Sequence, residues 1–267
     1  MIRLECEGTD RVNGPGWAHT KNQQEREAVM HRLICFALML FPVAVSASFD
    51  SDQLSRIRYQ AFAVSSELLL YYNPNQDGSD PRHANGYRQG LAQLQIAVRG
   101  APVALQKTTA ELQRLIEILE AQPSTADQVQ LRPTLINPIL ESQASLDRQA
   151  EQLYGKLPAS QRHVLHALQV DLARLLLLYE TRTFGSLGVY MMEMDDDSFV
   201  RLDQQIIVGF DSLHSEDSQK IDELKALRRK YDYIRPRLLQ HSQDWVPESA
   251  FYYLDGIARR LDALGIP

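Results

Sequence analysis

Met191, Met192 and Met194 crowd into four residues and run directly into Asp195, Asp196 and Asp197. Thioethers are soft ligands that select Cu(I), which makes this segment a candidate copper site. The structural alternative is a helix end packed by flexible methionines, with the aspartates capping a helix that starts at Ser198. His163 and His166 form a second candidate metal pair, because a spacing of three puts both rings on one helix face. Set against the apolar stripe Leu165, Leu168 and Leu172, that face is the outward one. An exposed pair without a neighbouring carboxylate is more often solvated surface. One of the three methionines with a histidine would also supply axial ligands to a non-covalent haem, although no spacing selects such a pair.

Two further segments carry chemistry-bearing side chains. Asn73-Pro74-Asn75-Gln76-Asp77-Gly78 imitates the first half of a calcium loop, but the twelfth position, where a bidentate glutamate is required, is Ala84. The segment therefore reads as a polar connector built from turn residues. Arg228, Arg229, Lys230, Arg235 and Arg237, interleaved with Tyr231 and Tyr233, are the dense basic stretch. They are a candidate binding face for anionic lipid, cell-wall polymer or an acidic partner. The same charges late in a helix that begins with acids also compensate its dipole and pair at i,i+4. His83, His214 and His241 fall near helix ends outside any motif. No nucleophile elbow, P-loop, dinucleotide fingerprint or zincin helix occurs in the sequence. The expectation is a non-enzymatic protein without a cofactor.

The elements that must position these groups are helices. Apolar residues recur at alternating steps of three and four, as in Leu54, Ile57, Ala61, Val64 and Leu68, or Leu224, Leu227, Tyr231, Ile234 and Leu238. Between the stripes stand helix starts. Asp80-Pro81 and Asn137-Pro138 each offer a capping side chain followed by a proline at N1. Ser124 with Asp127 resembles a capping box, and Ser215-Glu216-Asp217 places negative charge at a helix start. Gly100 and Gly265 suit C′ positions. The spacing predicts helices beginning near residues 50, 80, 103, 137, 160, 198, 217 and 249, with no repeat period. The fold expected is all-α, an antiparallel bundle of about seven or eight amphipathic helices. Leu175 to Leu178 is apolar on every side, so the helix from about Ser160 to Phe184 is expected at its centre. Pro102, Pro158 and Pro236 each mark a break or a kink, and the proline-rich segment 122–138 is the place for any subdivision.

Residues 33–47, LICFALMLFPVAVSA, set the expected location. As a helix the run reaches roughly 22 Å, short of the roughly 30 Å of bilayer hydrocarbon. It ends in Val45-Ser46-Ala47, a small-residue pattern suited to signal peptidase. Residues 1–47 thus read as a secretory signal, with translation starting at Met1 or at Met30, and 48–267 as the exported helical domain. Both cysteines, Cys6 and Cys35, precede the cut, so disulfide and zinc-thiolate chemistry is excluded downstream of it. The formal charge of −6 is the same with or without residues 1–47 and argues against a nucleic-acid partner. The expectation is a periplasmic protein of a bacterial envelope, without a transmembrane segment after the cut, that acts through protein or ligand contacts, with an envelope protein as the expected partner. A periplasmic small-ligand or metal-binding sensor or accessory protein is the other reading. Terminal sequencing of protein recovered from the envelope fraction is expected to begin at Ser48. Recovery of intact Met1 or Cys35 from a cytoplasmic product would overturn the export reading.

Overall fold

The computed structural model describes residues 49–73, 80–122, 133–158, 160, 162–182, 197–240 and 245–265. All of them lie in Ser48–Pro267, one of the two units into which the chain divides. Among the described residues there are eight helices and no strand. They are α1 (Ser51–Tyr71), α2 (Pro81–Ala97), α3 (Val103–Glu120), α4 (Pro133–Tyr154), α5 (His163–Thr181), α6 (Ser198–Ser212), α7 (Ser218–Leu239) and α8 (Pro247–Ala263). The all-α bundle expected from periodicity is the fold observed.

Local chemistry accounts for several of the boundaries. The side chains of Asp50, Asp80 and Asp217 accept hydrogen bonds from the backbone N–H groups of Gln53 (2.7 Å), Arg82 (2.8 Å) and Gln219 (2.9 Å), which caps α1, α2 and α7. Gly265 stands at C′ of α8 with φ 55°, a left-handed conformation that favours glycine, while Gly100 (φ 78°) lies one residue beyond C′ of α2. Pro102 precedes α3 and Pro158 follows α4, so both are breaks, whereas Pro236 lies inside the last turn of α7.

One expected boundary and one expected cap are corrected. α4 begins at Pro133 and runs through Pro138. Buried Ile136, Ile139 and Leu140 extend its apolar stripe across that proline, at the loss of one ladder hydrogen bond. Asp197 precedes α6 but makes no capping hydrogen bond through its side chain. The Ser124 and Asp127 capping box lies outside the described residues.

Two apolar clusters meet at α5. The first joins faces of α1, α2, α3 and α4 to Val170, Ala173 and Leu177 of α5. The second joins α6, α7 and α8 to Leu165, Leu168, Leu172, Leu175, Leu176 and Tyr179 on the other side of the same helix. The central position expected for this segment is thus observed. α3 and α4, on either side of the 122–138 segment, pack against each other within the first cluster. Within that cluster α2 comes close to α1 because Gly86 and Gly90 leave room. A Cβ at Gly90 would stand 2.8 Å from Gln60 and 2.9 Å from Val64.

A cavity at the shared helix is expected to be costly. Leu177→Ala should lower stability by about 2–5 kcal/mol, whereas Val208→Ala on the exposed face of α6 should stay within about 0.5 kcal/mol of the wild type. Denaturant unfolding of the two variants checks this.

Candidate functional site

α1 packs along α2, α4 and α5, while α8 packs along α5 and α7. Between α1 and α2 on one side and α8 on the other, the surface opens into a cleft of about 920 Å³. A smaller hollow of about 200 Å³ shares Tyr59, Gln60 and Arg259 with it and continues towards the start of α1. The walls follow from helical spacing. Asp52, Ser55, Tyr59, Ala63 and Glu67 line one face of α1, and Glu248, Asp255, Arg259 and Asp262 line one face of α8.

At one end of the cleft, Asp80 at the start of α2, His83 in its first turn and Glu248 in the first turn of α8 converge. One ligand atom from each lies within 4.8 Å of the others. His83 is only 4% exposed, and its Nε2 stands 3.1 and 3.0 Å from the two carboxylate oxygens of Glu248. The imidazole also meets the edge of Phe251 at 5.1 Å. Asp80 accepts from the side-chain Nε of Arg82 at 2.8 Å. The hydrogen bonds from Arg82, side chain first and then backbone, hold its carboxyl at about 2, below the ordinary range. Glu180, in the last turn of α5, is 1% exposed. Burial first, and then the negative charge of Glu248, push its carboxyl well above the ordinary range.

Midway along, Glu67 reaches from α1 to the place on α2 where Gly86 has no side chain. A Cβ there would fall 1.3 Å from Glu67 Oε2. Glu67 is 6% exposed, and burial followed by the charge of Asp255 pushes it up to about 7, while Arg259 opposes the shift. Arg259 spans the two acids, 2.7 Å from Asp255 and 3.5 Å from Glu67. The Tyr59 hydroxyl donates to Asp255 at 2.7 Å. At the far end Arg162 bonds Asp52 and lies 3.4 Å from Asp262, and His166 Nε2 stands 3.2 Å from Asp52.

The sequence-derived candidates fare differently. Met191, Met192 and Met194 lie outside the described residues, as do residues 74–79 of the calcium-like segment. His163 is exposed as expected, but His166 is buried, which corrects its assignment to the outward face. α5 is covered on more than one side, so the edge of its stripe turns towards α1, and the carboxylate missing from the local sequence is supplied by Asp52. The Nδ1 atoms of His163 and His166 both face the Tyr154 hydroxyl, at 3.3 and 3.0 Å.

The basic stretch is divided. Arg235 donates twice to buried Asp203, at 2.6 and 2.7 Å, and Arg228 lies 3.2 Å from Asp211 and 3.0 Å from Asp232. These two arginines tie α6 to α7, in keeping with structural pairing, while Arg229, Lys230 and Arg237 are exposed. Sequence reasoning passed over His83, Glu67 and Asp255. The available signal was a second, polar stripe beside the apolar one, running Asp52, Ser55, Tyr59 on α1 and Glu248, Asp255, Arg259, Asp262 on α8. Comparison of the chain with protein-family models, with curated proteins and with solved structures found no match.

A carboxyl held above its unfolded value lets the native state keep an extra proton between the two values, so stability falls as pH rises through that window. For Glu67 the window runs from 4.5 to about 7. His166 acts in the opposite sense, because burial lowers it and its contribution is lost as pH falls below the ordinary histidine range. The comparison that isolates Glu67 is therefore Glu67→Gln against the wild type. The variant should gain relative stability as pH rises from 4.5 to about 7 and level off above, as read from urea midpoints across that range.

Proposed function

We propose that this chain is an exported helical-bundle protein of a bacterial envelope that works by binding, and that its ligand is a cation or a cationic group received in the cleft between α1, α2 and α8. The observation that carries the reading is the convergence of Glu67, Glu248 and Asp255 on one open cleft from helices at opposite ends of the chain. These three acids outnumber the two guanidinium groups on the cleft wall, Arg82 and Arg259, and carboxylates in a partly desolvated groove focus negative potential and favour a positively charged guest. Tyr59, Phe251 and Tyr252 stand among them, and aromatic faces add to the attraction for an organic cation. The leader-like segment 33–47 supports export. Binding rather than catalysis is favoured by Arg259 and Tyr59, which hold Asp255 in fixed hydrogen bonds.

A guest that binds only the native state at about 100 times its Kd adds about 2.7 kcal/mol of stability, several degrees in Tm for a unit of this size. Thermal unfolding against a panel of diamines, guanidinium compounds and quaternary ammonium ions is expected to show such a rise for at least one of them. Anions of matched size should give none, and the rise should be lost in the Glu67→Gln, Asp255→Asn double variant. Equal shifts with anions, no shift with any cation, or an unchanged shift in the double variant would overturn the reading.

A further inference from the structure

The end of the cleft where α2 and α8 both begin is chemically unlike the rest of it. Acidic residues at helix starts are ordinarily explained by the dipole, and that suffices for a cap such as Asp80. It does not explain a buried imidazole placed symmetrically on both oxygens of Glu248, 3.1 and 3.0 Å away.

We propose that Asp80, His83 and Glu248 form a binding site for one first-row divalent transition-metal ion. This deepens the cleft reading by naming the ligand class of one end of it.

The donor set is one imidazole nitrogen with two carboxylates, which suits zinc, manganese or iron(II) better than the soft copper(I) ion or the all-oxygen preference of calcium and magnesium. The three ligand atoms already lie within 4.8 Å of one another. Metal–nitrogen and metal–oxygen bonds of about 2.0–2.2 Å need only small adjustments to span such a gap. Two of the three ligands come from one turn. Asp80 is held extended as the α2 cap, Pro81 sets the next φ, and the backbone N–H of His83 donates to Asp80 O at 3.1 Å. The His83 ring is fixed by burial and by Phe251. The Glu248 side chain is 46% exposed, which leaves an entry path from the cleft.

Binding replaces any proton on His83 Nε2 with the ion and releases that proton to solvent. One group competes. The Arg82 guanidinium sits on Asp80 but its side chain is 82% exposed, so it is free to swing into water when the ion arrives.

Calorimetric titration of the chelator-treated chain with Zn²⁺, and separately with Mn²⁺, tests the site. One ion per chain is expected for at least one of the two metals, undisturbed by excess Mg²⁺. His83→Ala and Glu248→Gln should weaken it at least tenfold. Asp80→Asn, which keeps a capping side chain, should weaken it several-fold at unchanged metal-free stability. Arg82→Ala should tighten it several-fold, an effect that a purely structural role for Arg82 would not produce. The proposal is overturned if neither metal binds, or if affinity is the same in His83→Ala and Glu248→Gln. The Glu67→Gln, Asp255→Asn variant separates the two readings. Metal binding should survive in it, and a thermal shift with organic cations that persists in His83→Ala would leave the cleft reading standing after a failed metal titration.

Discussion

Burial of α5 on both of its sides is the constraint from which the rest of the molecule follows. Val170, Ala173 and Leu177 belong to one apolar cluster, and Leu168, Leu172, Leu175 and Tyr179 to the other. A helix that is apolar nearly all round loses too much if either side meets water, so helices must cover it from two directions. Two groups of helices wrapped on one central helix leave seams where the groups meet. The cleft between α1, α2 and α8 is one of these seams.

Polar side chains collect along that seam for a physical reason. A seam is partly dehydrated, so a carboxylate there loses solvation and must gain a partner or a proton. Asp255 gains Tyr59 and Arg259, and Asp147, elsewhere in the bundle, gains Arg58 at 2.6 Å and Arg174 at 3.0 Å. Glu67 gains only Arg259 at 3.5 Å, and burial drives it towards the protonated form. The difference separates two uses of buried charge. Asp147 and Asp203 clamp helices together through paired arginines, whereas the acids facing the cleft remain addressable from outside. Gly86 belongs to this arrangement, since only a residue without a side chain leaves room for the Glu67 carboxyl beside α2.

Much of the fold was legible in the sequence, and the site was not. The start of α2 was readable because Asp80 and Pro81 act on the backbone next to them. The start of α4 was misplaced because Pro138 carries a strong local signal that burial of Ile136 and Ile139 overrides. His166 was assigned to the surface because a single stripe defines only one buried face, and α5 has two. His83 carries no local motif, since its partner Glu248 is 165 positions away.

The amino-acid sequence by itself determined the helices, their approximate limits and the central place of α5, because caps, prolines and apolar periodicity act over a few residues. Only the tertiary structure decided which acids share a cleft. Tyr59 and Asp255 are 196 positions apart and meet at 2.7 Å because both core clusters close on α5. Nothing in the neighbourhood of either residue encodes that distance, which is set by the packing of apolar faces elsewhere.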